Sequence, residues 1–289
     1  MSTTATDIKN EWDIIIKPDA GLFIFDLKGV WKYRDLMWLF VKRDFAAQYK
    51  QTILGPLWHL IQPLFTTLMF VLIFNKIANI STDTIEPPLL FYMSGITLWN
   101  YFANCVTNTS NTFIANAGIF GKVYFPRLVL PLSIVISNMV RFVIQFGLLL
   151  GFMIWYSFNG YPVHFNLHWL FIPVLLAIVA GIGLGTGIII SSLTTKYRDL
   201  TVLIGFVMQL AMYVTPIVYP LSYLKGKRYL WLIKLNPVTS LVEAFRYALF
   251  GKGTYNLAGL AYSSGFMLIV LTLGILIFNR VERTFMDTV

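Results

Sequence analysis

"KRDFAAQYKQTILGPLWHLIQP" runs from Lys42 to Pro63. It begins basic, reaches Leu54-Gly55-Pro56, and passes into an apolar run that continues to Phe74. Pro56 lacks an N–H and has a fixed φ, which suits the first turn of a helix. Leu54-Gly55 permits a sharp turn just before it. The stretch therefore reads as a helix along a membrane surface, a bend, and a helix entering the bilayer. Residues 22–50 agree with this. Trp31, Leu36, Leu39, Phe40 and Phe45 are apolar, while Lys28, Lys32, Arg34, Lys42, Arg43 and Lys50 are basic. That mixture predicts an amphipathic helix in the headgroup plane, although simple anchoring needs nothing different.

Outward from the bend, apolar runs dominate the chain. Of 289 residues, 57% are hydrophobic and 12% charged, about half the charge of a soluble domain. Six runs have the length of a span, at about 58–77, 89–107, 128–156, 169–193, 200–220 and 255–279. The expected fold is an all-α membrane protein with a cytoplasmic tail at 1–21, an interface helix and Leu-Gly loop at 22–56, and a transmembrane domain at 57–289. Lys and Arg are plentiful before residue 58, absent from 78–88, present at Lys122 and Arg127, and present again at Lys196 and Arg198. This alternation places both termini in the cytoplasm. No apolar segment with a cleavage site opens the chain, so the first span is expected to direct insertion.

One connection opposes the charge rule. Residues 221–254 carry Lys225, Lys227, Arg228, Lys234, Arg246 and Lys252, yet the alternation puts them outside. Asn236-Pro237 breaks their apolar stretch into halves too short to span. A re-entrant hairpin over 221–252 fits, since non-helical backbone at membrane depth is tolerated where protein buries it. Two further spans are the alternative. "KYRDL" occurs at 32–36 and 196–200. Asp199 in the second copy is placed to cap the fifth span.

Enzyme signatures are nearly absent. "GKGT" at 251–254 lacks the upstream glycine of a phosphate-binding loop, because position 246 is Arg. His164 and His168 have no third ligand beside them, and the 13 acidic residues are scattered. Metal and cofactor sites are therefore not expected in this chain. The lone Cys105 excludes an internal disulfide framework. The net charge of +9 lacks any nucleic-acid motif and suits anionic lipids or substrates. Within the spans, Arg141 stands out, with Asn138 and Gln145 a turn away on either side. It faces a polar interior and an anionic or hydroxyl-rich substrate, or it sits at headgroup level. No span has a central acid, which argues against ion coupling. Aromatics form 16% of the chain, enough for interfacial belts and for stacking on sugars.

Arg43-Asp44, Tyr49-Lys50, Leu54-Gly55-Pro56-Leu57-Trp58 and Gln62-Pro63 together resemble the start of the permease subunit of bacterial ABC exporters of lipid-linked polysaccharides. "GKVYFPRLVLP" (121–131), "KYRDL" (196–200) and "LNPVTSLVEAFRYALFG" (235–251) resemble later parts of that family in the same order. The resemblance implies a homodimer in the bacterial inner membrane, with the O-antigen branch first and teichoic acid or capsule exporters as the alternative. It implies two copies of an ATPase subunit that bind ATP and Mg. The implied substrate is a polysaccharide linked to undecaprenyl pyrophosphate. Arg43, Lys50, Leu54, Gly55, Pro56 and Trp58 fall at the implied substrate entrance. His59, Gln62, Asn138, Arg141 and Gln145 are channel candidates. Gly118, Phe120, Lys122, Tyr124, Phe125 and Arg127 fall in the implied coupling segment, with the three aromatics as knobs for the ATPase. A membrane-embedded glycan enzyme or a small-molecule exporter fits these residues less well.

Overall fold

Gly55 turns the chain with a φ of +48°, in the left-handed region that a side chain disfavours. The computed structural model describes residues 27–285 apart from 51, 84, 121–124, 162–165 and 254. Before the turn lie α1 (Leu27–Lys32) and α2 (Arg34–Tyr49). After it, a 3-10 turn at Gly55–Leu57 with Pro56 as its second residue leads into α3 (Trp58–Phe70). The run ends in wider π-helical turns at Val71–Ile77. The amphipathic expectation for α2 needs adjusting. Phe40 and Val41 are buried, whereas Trp38 and Leu39 face outward. Its apolar residues serve both the protein interior and the surroundings.

The remaining helices are α4 (Pro88–Ser110), α5 (Thr112–Ala115), α6 (Ala117–Phe120), α7 (Val129–Phe158), α8 (Ile172–Thr194) and α9 (Leu200–Val214). They are followed by α10 (Leu230–Leu235), α11 (Pro237–Phe250) and α12 (Leu257–Phe285). Among the described residues, four helical stretches are long and apolar enough to cross a membrane. These are Gly55–Ile77, Val129–Phe158, Leu167–Thr194 and Leu257–Val281. α4 has 23 residues, about 34 Å at the usual helical rise, but carries many polar side chains. The fifth expected span is shorter than 200–220. α9 stops at Val214 because Pro216 follows, and the buried segment Thr215–Val218 continues without helix. Asp199 occupies the cap position of α9, but its side chain makes no capping hydrogen bond.

α8 is the axle of the bundle, and its glycines explain why. A Cβ on Gly183 or Gly187 would meet Cys105 or Thr109 of α4 at 2.7 and 2.6 Å. A Cβ on Gly181 or Gly185 would instead meet α12, at Met267 and at the backbone of Leu271. Two interleaved small-residue stripes thus let α4 and α12 approach opposite faces of α8, the packing that apolar surroundings favour. Leu90, Phe91, Tyr92, Leu98, Leu241 and Phe245 fill the core around α4, α8 and α11. A second core at the α2 end joins Phe40, Phe113, Phe120, Phe125, Ile188 and Phe278.

Between α10 and α11 the break falls at Asn236-Pro237. The Asn236 side chain accepts from the Val238 N–H at 3.0 Å and donates to the Thr215 hydroxyl at 2.9 Å. Pro237 suits the first turn of α11, where its missing N–H has no helical partner to lose. α11 buries most of its residues, while Gly251 closes it in the left-handed conformation.

Candidate functional site

α2, α4, α5 and α7 meet around a cleft of about 450 Å³. Arg43, Asp44, Asn108, Asn116, Asn138 and Arg141 line it. Arg43 reaches it because α2 lies along α7 with Phe40 anchored in the second core, and the guanidinium sits 4.8 Å above that ring. Nη2 of Arg43 donates to Asp44 Oδ1 at 2.7 Å and to Asn116 Oδ1 at 3.3 Å. Asn116 ends the one-turn helix α5, and its Nδ2 donates back to the Thr112 carbonyl at 3.0 Å.

The second cation enters from α7. Arg141 Nη1 donates to Asn138 Oδ1 at 2.8 Å, and Asn108 Nδ2 donates to the same oxygen at 3.1 Å. Two turns further along α7, Gln145 Oε1 accepts from Asn100 Nδ2 at 3.3 Å. Carboxamides on α4 and α7 therefore form a ladder that starts at the cleft and runs into the helix bundle. Asp44 and His59 both lie within electrostatic reach of Arg141. The cleft carries one more positive than negative charge from Arg43, Arg141 and Asp44. Among the described residues, Ser137 Oγ and Arg141 Nε are buried without a hydrogen-bond partner. Such groups have a desolvation penalty that a hydroxyl-rich or anionic ligand would relieve.

The sequence-based candidates separate into three places. Arg43, Asn138 and Arg141 come together in the cleft, and Gln145 extends it. Lys50, Leu54, Pro56 and Trp58 are exposed around the Gly55 bend instead. His59 is half-buried and meets the Tyr49 ring edge-on at 5.4 Å, while Gln62 is exposed. Asn100, Asn108, Asn111 and Asn116 were missed. Each is an isolated amide in a helical run, and only the α4–α7 pairing makes them a set. Their common signal was six Asn in the mostly apolar stretch 100–138.

The coupling segment needs a correction. Phe120 and Phe125 do not project as knobs. Both are buried, with ring centroids 6.0 Å apart, and Arg127 lies 5.4 Å from the Phe120 ring. Apolar rings near the foot of a bundle gain more by joining the second core than by facing outward. Among the described residues there, Ile114, Ala115 and Gly118 are exposed. Lys122 and Tyr124 lie outside the described residues, as does His164. Among the described residues no cluster of metal-ligating side chains occurs.

Comparison with known proteins agrees with this architecture. The family model for the ABC-2 type transporter matches residues 35–250. Two permease proteins of the O-antigen export system, both RfbA of Klebsiella pneumoniae, are 30% and 31% identical over 256 residues. Each alignment covers 88% of this chain and 94% of the relative. The Myxococcus xanthus RfbA permease is 26% identical over 221 residues, covering 76% of this chain and 82% of that protein. The matched region holds the Gly55 bend, the cleft and the whole of α11, and on that match the chain belongs to the ABC-2 type transporter family.

Proposed function

We propose that the chain is the permease subunit of an ATP-driven exporter that moves lipid-linked O-antigen polysaccharide across the bacterial inner membrane. One observation carries the reading: the Arg43–Arg141 cleft continues into a ladder of carboxamides between α4 and α7. Arginine suits a phosphate and carboxamides suit sugar hydroxyls, since each amide both donates and accepts. The substrate is a glycan on undecaprenyl pyrophosphate. Its charged head meets the two arginines, and its sugars follow the ladder.

The topology that goes with this is six spans, with α4 and α9 added to the four apolar helices, and both termini cytoplasmic. α10 and α11 form an external re-entrant pair. α9 exposes most of its apolar side chains, α3 exposes Trp58, Phe65, Leu68 and Met69, and Arg43 leaves the cleft open on one side. A homodimer would cover such faces and enclose a polymer-sized path. Transport draws on two copies of an ATPase subunit that hold ATP and Mg. Their docking surface is the exposed Ile114–Gly118 turn beside the Phe120 anchor.

Purification of the tagged full chain from its native host tests this. A stoichiometric ATPase should co-purify, and its hydrolysis should rise on adding lipid-linked O-antigen. A chain that comes away alone, or an ATPase indifferent to the glycan, would overturn the reading.

A further inference from the structure

A second cavity, of about 250 Å³, lies away from the cleft, between the 3-10 turn Leu221–Leu224, α10, α11 and α12. Leu221, Leu230 and the Tyr262 ring give it apolar walls, Ser240 gives a hydroxyl, and Lys225 and Lys234 stand at its exposed edge. The walls are fixed. Tyr262 donates its hydroxyl to the Leu235 carbonyl at 2.7 Å, and a Cβ on Gly259 would sit 2.5 Å from Ser240 Oγ. Glu243, the acid among the lining residues, has its charge met by Arg246 at 3.4 Å. Among the described residues neither Lys225 nor Lys234 forms an ion pair. Two positive charges therefore stand over an apolar hollow.

Their location makes this notable. Under the topology proposed above, residues 221–254 are external, where short connections disfavour Lys and Arg. Two of the cations have internal uses. Arg246 is buried among carbonyls, and Lys227 lies 4.3 Å from the Tyr223 ring centre. Lys225 and Lys234 have no such use. Basic residues that oppose the orientation rule and border a cavity point to an anionic ligand.

We propose that this cavity binds the phosphate-bearing head of an amphiphile at the external face of the membrane. Lys225 and Lys234 meet the phosphate, Ser240 adds a hydrogen bond, and Leu221, Leu230 and Tyr262 take the first part of the apolar tail. The inference rests on the proposed orientation. The phosphate has two possible sources, a membrane phospholipid or the lipid-linked glycan after crossing.

The full chain in detergent, titrated with phosphatidylglycerol and read by native mass spectrometry, tests the site. The unaltered chain should retain the lipid at this site, and diacylglycerol without phosphate should not be retained. Lys225→Gln/Lys234→Gln should weaken retention about tenfold, some 1.4 kcal/mol. Lys227→Gln/Lys252→Gln, the same charge change elsewhere, should leave it intact. Equal retention by both double variants, or equal loss, would overturn the proposal. Displacement of the phospholipid by a stoichiometric polyprenyl diphosphate would identify the transported carrier as the occupant. Resistance to it would identify a resident phospholipid. Orientation is checked separately by labelling Lys225→Cys in spheroplasts with a membrane-impermeant maleimide. Absence of labelling would reject the external placement without touching the detergent result.

Discussion

The guanidinium of Arg246 lies 3.7 Å from the centre of the Phe91 ring while both terminal nitrogens reach carbonyls beyond the end of α9. Nη1 donates to Pro216 at 2.6 Å, and Nη2 donates to Ile217 at 2.9 Å. A side chain of α11 thereby ties α4 to the exit of α9. The site is fully buried, so these carbonyls have no water to turn to, and the planar fork serves both at once.

Arg246→Lys should therefore fail as a conservative change. One ammonium cannot hold both carbonyls and stack on Phe91. We expect a loss of about 3 kcal/mol, the scale of breaking a buried charge network. Thermal unfolding of the detergent-solubilised chain by circular dichroism measures it. Gly95→Ala should act in the same direction, because its Cβ would fall 2.7 Å from Arg246 Nη2. An unchanged midpoint for both would show that the clamp holds nothing.

Asn138 is the hub of the cleft, since one oxygen accepts from both Arg141 and Asn108. Asn138→Leu keeps the approximate volume and removes that acceptor. Export of the glycan should fall about tenfold or more, as for loss of a charge-assisted hydrogen bond. The amount of protein in the membrane should change little. Arg141→Lys should retain part of the export, and Arg141→Gln should retain less. Radiolabelled glycan reaching the cell surface reads the series. Full export by Asn138→Leu would remove the ladder from the transport path.

Gly55 has open space where a side chain would begin, so only its φ of +48° resists substitution. Gly55→Asn should be tolerated, because asparagine adopts this region readily. Gly55→Val should lower stability by about 1–2 kcal/mol or straighten the bend. The same melting assay, with export alongside, separates a strained bend from a lost contact. Equal behaviour of the two variants would place the requirement in side-chain size rather than backbone conformation.

The bend was legible because Gly and Pro act through their own backbones, so residues 54–58 specify it locally. The long helices were legible because a run of about 20 apolar residues is itself the signal, and the fifth ended early where a proline intervened, at Pro216. The cleft was only half legible. Arg141 is conspicuous as a charge in an apolar run, but the amides on α4 gain meaning only from a neighbour some 30–45 positions away. Likewise the alternate glycines at 181–187 look like flexibility until α4 and α12 are seen on opposite faces. Phe120 and Phe125 misled because an aromatic beside a loop gives no hint of which way it turns. Pairing across elements is what one sequence does not display.

That inward turn makes the coupling segment testable in two parts. Phe125 is 4% exposed within the second core, together with Phe40 and Phe120. Phe125→Ala should cost about 3–5 kcal/mol, lower the yield of folded protein, and impair everything downstream. Gly118 is exposed with nothing within 4 Å of where a side chain would start. Gly118→Trp should leave the melting midpoint unchanged yet block docking of the ATPase. Co-purified ATPase per permease and the melting midpoint, measured on both variants, discriminate the roles. If Gly118→Trp keeps its ATPase while Phe125→Ala loses it without any fall in stability, the ring itself makes the contact. The exposed turn would then have no part in coupling.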